Sequence, residues 1–180
     1  MGRSFDAIAD HLASWMEAQP IFFTASAPLA ADGHVNVSPK GGDSFRVLGP
    51  NRVAYLDYTG SGAETIAHTR ENGRLTLMFC AFDGKPNIVR LFGTGEAVLP
   101  GHDGFDDLAT AFPPNPGARS IVVLDVVEVR TSCGYSVPEM ALVAPRATLD
   151  EWAERKTAEE LDAYRAEKNA VSLDGLPAIG

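Results

Sequence analysis

The sequence predicts a mainly β domain: a six-stranded antiparallel barrel with flanking helices and a helical C-terminus. Three observations predict it. Six apolar runs are rich in the β-branched and aromatic residues that suit strands. Asp32-Gly33 and Asp83-Gly84 stand between consecutive runs, where such pairs turn a strand back on itself. Helical periodicity is confined to a stretch before the first strand, short pieces between strands and the stretch after the last one.

The elements follow in chain order. Ser4 is placed to cap a first helix, with Phe5, Ile8, Leu12, Trp15 and Met16 on one face and Pro20 ending it. IFFTASA (21–27) reads as the first strand, and HVNVSP (34–39) as its return across Asp32-Gly33. RVAYLDY (52–58), after a Gly-Pro-Asn turn, is the third. RLTLMFCAF (74–82), NIVRLFGTGEAVL (87–99) and SIVVLDVVEVRT (120–131) complete the set. Short helices are expected near 62–72 and 103–112. Thr148 with Glu151, and Thr157 with Glu160, match the capping-box spacing, and Trp152, Leu161 and Tyr164 can dock on the body. Residues 1–146 are thus read as one domain and 147–180 as a helical extension packed on it, with the tail NAVSLDGLPAIG lying on a surface.

Charge narrows the function. The chain carries a net charge of -9 over 180 residues, which argues against a nucleic-acid partner held through phosphates. The charge is unevenly spread. Residues 34–94 hold seven basic and five acidic side chains, while the segments on either side are both acidic. A positive middle in an acidic chain suits a local anion site for a small molecule. No apolar run approaches the ~20 residues of a membrane span, and acidic residues interrupt the N-terminus where an export signal would be apolar. The two cysteines, Cys80 and Cys133, have neither zinc-site spacing nor a disulfide framework, which suits the cytoplasm. His11, His34, His68 and His102 are scattered without a metal-binding pattern; of these, His68 sits closest to the turn considered next.

Residues 55–65 read YLDYTGSGAET, a strand running into a helix. Gly60 and Gly62 let the chain bend sharply and bring backbone amides close to a ligand. Ser61 is placed to cap the helix with Glu64 closing the box. Free amides at a helix start also suit a phosphate.

The order of these parts, VNVSPKG, then YTGSGAET, a short helix, LTLMFCAF and a hairpin into IVRLFGTGEAV, resembles the pyridoxamine 5'-phosphate oxidase-like, FMN-binding split-barrel family. It is similar in particular to members with an SPKGG motif and a GSGxET turn. The resemblance covers about residues 18–131, and SCGYSVP and EKNAVSLDGLP also look like that subgroup. It implies a split barrel forming a homodimer, FMN between the protomers, and oxidoreductase chemistry on a small-molecule substrate. It implies cofactor contacts at Ser38 and Lys40 of the SPKGG motif, at Tyr58 and Thr59 along the ribityl chain, and at Gly60, Ser61 and Thr65 beside the phosphate. Arg90, with Arg70 or Arg74, is available as a further cation. No residue is identified as catalytic, and no metal site is expected.

Two departures qualify the resemblance. Glu64 and Thr65 stand where pyridoxamine phosphate oxidases carry an arginine and a lysine. Residues 101–120 hold Asp103, Asp106 and Asp107 against Arg119 alone, without that family's substrate triad. A vitamin B6 oxidase is therefore not implied. The alternatives left open are a non-catalytic flavin-binding or sensing module, and a deazaflavin- or haem-binding split barrel.

Overall fold

The computed structural model describes residues 2–179. Thirteen elements follow in order: β1 (Arg3–Phe5), α1 (Asp10–Glu17), β2 (Ile21–Ser26), β3 (Asn36–Gly41), β4 (Phe45–Gly49), β5 (Arg52–Tyr58), α2 (Glu64–Asn72), β6 (Arg74–Cys80), β7 (Ile88–Val98), α3 (Phe105–Ala109), β8 (Ala118–Ser132), α4 (Thr148–Glu154) and α5 (Ala158–Lys168). The strands form one antiparallel sheet in the order β3-β2-β6-β7-β8-β5-β4, with β1 added along the far end of β8.

The expected architecture stands, and the strand count rises from six to eight. The first extra strand corrects the reading of Ser4. Residues 3–5 pair with Val129–Thr131, and Ser4 Oγ donates to Glu128 Oε1 rather than capping a helix. The helix begins only at Asp10, still presenting Leu12 and Met16 to the core. The second extra strand is β4, which pairs with β5 across the Gly-Pro-Asn turn. The hairpin at Asp32-Gly33 is real, although its loop spans 27–35.

The sheet curls into a half-barrel around an apolar core. Phe45 lies on one edge strand, yet its ring sits 5.5 Å from Phe22 and 4.8 Å from Phe79 on strands beyond the middle of the sheet. Such tilted contacts match the quadrupole preference of aromatic rings, and they draw the two edges together. Those edges, β3 and β4, are consecutive in sequence and linked by residues 42–44. The barrel's seam therefore lies beside the SPKGG segment. β5 is buried on both faces: Val53 and Tyr55 face the barrel interior, while Ala54 and Leu56 pack with Phe112 under α3. This explains why RVAYLDY reads as an unbroken apolar run.

The C-terminal helices lie against the same body. Leu161 is buried, and Trp152 meets Tyr164 edge-on at 5.2 Å. Thr157 and Glu160 form the expected capping box. Thr148 does not: α4 starts after Ala147 with no side-chain cap. The tail folds back over α2, where Ala178 is fully buried against Ala63, Ile66 and Ala67. No helix among the described residues is long and apolar enough to cross a membrane.

Candidate functional site

The barrel seam, the end of β5 and the start of α2 converge on two linked polar clusters. The first centres on Asp57, whose burial inside an apolar strand demands compensation. Lys40 Nζ donates to Asp57 Oδ1 at 2.7 Å, and Arg119 Nε donates to Oδ2 at 2.8 Å. Ser120 Oγ approaches Oδ2 at 3.4 Å. Asp57 is 1% exposed. Burial alone would push its carboxyl up, but the Lys40 and Arg119 charges outweigh burial and hold it below the ordinary value. Two cations share one carboxylate, so the cluster keeps a surplus positive charge. Lys40 also lies 5.6 Å from the centre of the Tyr55 ring.

The second cluster links β3 to α2. Ser38 Oγ donates to Asn36 Oδ1 at 2.8 Å, and Asn36 Nδ2 donates to Thr65 Oγ1 at 3.0 Å and Ser26 Oγ at 3.2 Å. Ser26 Oγ lies 3.0 Å from Nδ1 of the fully buried His68. His68 Nε2 has no hydrogen-bond partner and faces Glu64 Oε2 at 4.0 Å. Two further buried hydroxyls, Thr24 Oγ1 and Tyr55 Oη, lie near each other and near Thr65 without a hydrogen bond of ordinary geometry. Burial raises the Tyr55 phenol well above its ordinary value, so it stays protonated.

Of the residues expected to hold a cofactor, Ser38, Lys40, Thr59, Gly60 and Thr65 lie in or beside these clusters. Thr59 Oγ1 accepts from Arg165 Nε at 3.0 Å, and Gly60 O accepts from Asn169 Nδ2 at 2.8 Å. Tyr58 is half-buried and packs on the α3 side of the sheet. Ser61 is exposed and does not cap α2; the N-cap is Ala63, with no side-chain cap. Glu64 is correspondingly the first residue of the helix, and its Oε1 accepts from the Leu173 amide at 3.0 Å. Arg90 reaches toward Ser132 at the other end of the β7–β8 ladder. Arg70 donates to the Ala178 carbonyl and Arg74 to the Pro28 carbonyl, so both serve the framework.

Asp57, Arg119, Asn36 and Arg165 were missed by sequence reasoning. Asp57 carried one signal, a carboxylate inside an apolar strand. Arg119 and Arg165 carried none, because their partners lie 62 and 106 residues away. A cavity of about 720 Å³ lies elsewhere, lined by Arg3, His11, Lys85, Cys133 and Tyr135 among others.

Residues 8–133 match the family described as Pyridoxamine 5'-phosphate oxidase. The pyridoxamine 5'-phosphate oxidase family protein ustO of Aspergillus flavus is 42% identical over 193 aligned positions, covering 97% of this chain and 77% of that one. Two solved structures share the fold. A Lactobacillus delbrueckii protein carrying the same oxidase's name is 23% identical with a TM-score of 0.53, covering 69% of this chain and 94% of its own. The H111A form of HupZ from Group A Streptococcus is 18% identical with a TM-score of 0.54, covering 69% and 99%. The family match spans both polar clusters up to the end of β8, and the full-length relative extends it through the C-terminal helices: the chain belongs to the pyridoxamine 5'-phosphate oxidase family.

Proposed function

We propose that this protein binds FMN at the barrel seam beside the 58–65 turn and acts as a flavin-dependent oxidoreductase on a small molecule. The observation that carries this reading is the charge surplus at Lys40, Asp57 and Arg119, held beside the exposed Ser61 and Gly62 of the turn. A cofactor with a phosphate and a ring rich in acceptors requires such a set of donors. The residues present fit it. Lys40 and the Thr65 hydroxyl are held in place by Asp57 and Asn36, and open space adjoins Gly62.

When bound, the flavin would supply the hydride or electron transfer. The protein's part is positional. Asp57 and Arg119 fix the Lys40 ammonium, Asn36 orients Thr65 and Ser38, and the aromatic core beneath excludes water. Lys40 then presents a fixed positive charge to the phosphate or to negative charge on the reduced ring. Ser38, Tyr58, Thr59, Gly60 and Ser61 complete the proposed contacts, and Arg90 joins them only if a second protomer brings a ligand to its end of the sheet.

A homodimer belongs to the same proposal. Residues 133–147 have no helix or strand and expose Tyr135, Met140, Leu142 and Val143, the last 97% exposed. Apolar side chains so grouped are characteristic of a surface that another chain covers. FMN titration followed by fluorescence quenching tests the site. Lys40→Ala and Thr65→Ala should each weaken binding about tenfold or more, in line with loss of a charge-assisted or buried hydrogen bond. Binding as tight as the parent's in both variants would refute it. Sedimentation at micromolar concentration tests the dimer, and a monomer there would count against it.

A further inference from the structure

The first turn of α2 presents a contradiction for any anion. Its amides attract one, yet Glu64, its first residue, carries a carboxylate to the same place, with the Gly60 carbonyl and the Thr59 hydroxyl beside it. The structure shows what becomes of those three acceptors. The Glu64 carboxylate receives the Leu173 amide at 3.0 Å, the Gly60 carbonyl receives Asn169 Nδ2 at 2.8 Å, and Thr59 Oγ1 receives Arg165 Nε at 3.0 Å. All three donors come from one segment, the end of α5 and the tail after it.

That segment is built in firmly. Asn169 is fully buried, its backbone carbonyl accepts from the Ile179 amide, and Val171 bridges Pro177. Asp174 holds His34, accepting from its amide at 2.8 Å and lying 2.6 Å from its ring nitrogen. On the inner side of the same helix turn, fully buried His68 directs an unpartnered Nε2 at Glu64.

We infer that residues 165–174 are a positioning segment for an anion, which engages the Glu64 carboxylate, the Gly60 carbonyl and the Thr59 hydroxyl and so turns these three acceptors from a phosphate at the 58–65 turn. The inference rests on the anion site proposed above and adds its determinant of selectivity for phosphorylated over unphosphorylated ligands. An unmasked Glu64 would stand within a few ångströms of the phosphate, where like charges cost enough to change affinity about tenfold. The hydrogen bond from the Leu173 amide draws that charge aside.

The experiment compares three probes: inorganic phosphate, FMN and riboflavin, which lacks the phosphate. Leu173→Pro removes the amide that Glu64 accepts while replacing an exposed side chain. It should weaken phosphate and FMN about tenfold and leave riboflavin within about twofold. In a Glu64→Gln background the same substitution should have no such effect, because no charge remains to be masked. Asn169→Ala, which leaves the Gly60 carbonyl only its 3.4 Å contact from Arg119 Nη1, should also weaken phosphate and FMN more than riboflavin and serves where Leu173→Pro fails to fold.

An equal loss for riboflavin and FMN overturns the inference, as does a Leu173→Pro loss that persists with Glu64→Gln. So does a parent protein whose Ser61–Thr65 amide resonances do not respond to phosphate. Phosphate binding without FMN binding would sink the flavin reading and leave this one standing. FMN binding indifferent to all these substitutions would do the reverse.

Discussion

The Lys40 ammonium and the Asp57 carboxylate meet at 2.7 Å across the barrel seam, joining an edge strand to a strand buried on both faces. The contact is part of the fold as well as of the site. Asp57→Asn leaves Lys40 and Arg119 facing each other without their shared counter-charge. Breaking a buried pair in this way costs about 3–5 kcal/mol. Lys40→Met leaves Asp57 with Arg119 and should cost less, about 1.5–3 kcal/mol, the range for a hydrogen bond to a charged group. Urea denaturation of the two variants checks the order; an Asp57→Asn protein as stable as Lys40→Met would contradict it.

Acid should act through the same carboxylate. Lys40 and Arg119 hold Asp57 below its ordinary value despite its burial. In the unfolded chain Asp57 takes a proton near 3.9. Its contribution is therefore fully present above that pH and is lost as pH falls through the lower folded value. The stability difference between the parent and Asp57→Asn should be constant from neutrality to about pH 5 and shrink below about pH 4. A difference that already changes near pH 6 would point to another group.

The tail responds to pH with the opposite sign. Hydrogen bonding to Asp174, together with its charge, raises the exposed His34 above its ordinary value, while the same contact lowers Asp174. The His34 contribution is present below pH about 6.5 and fades as pH rises through the raised folded value. Titration of the His34 ring by NMR should give a midpoint above 6.5, and the amides near Asp174 should shift with the same midpoint. Asp174→Asn should return the ring to its ordinary value.

Gly93 marks the least tolerant backbone contact. It sits at the register shift between β7 and β8, where a Cβ would lie 2.0 Å from the Asp125 carbonyl oxygen. Gly93→Ala forces the strands apart and should cost about 3 kcal/mol or more. Gly49→Ala meets nothing within 4 Å and should stay within about 0.5 kcal/mol. Thermal melts of the two variants make the comparison.

The strands were legible because their signals are local. LTLMFCAF and SIVVLDVVEVRT carry their apolar faces within a few residues, and Thr157 finds Glu160 three residues on. What escaped the sequence depends on distant partners. Ser4 has helix-cap chemistry, but β8 offers residues 3–5 a ladder 126 residues away, and pairing wins. Ser61 and Glu64 have cap spacing, yet Glu64 answers to an amide 109 residues further on. The site was half legible for the same reason. SPKGG and YTGSGAET pointed to Lys40, Thr59, Gly60 and Thr65, while Arg119, which completes the charge balance, looked like a lone arginine in an acidic stretch.

The contacts from residues 165, 169, 173 and 174 to residues 59, 60, 64 and 34 each span more than a hundred positions. Contacts of such range are made late in folding, because closing so long a loop costs entropy before any bond returns it. During synthesis the barrel strands would emerge and pair while the 58–65 turn was still open. The turn would then take its final form as the last element of the nascent chain to settle, and a ribosome stalled near residue 160 would display a barrel without its finished site.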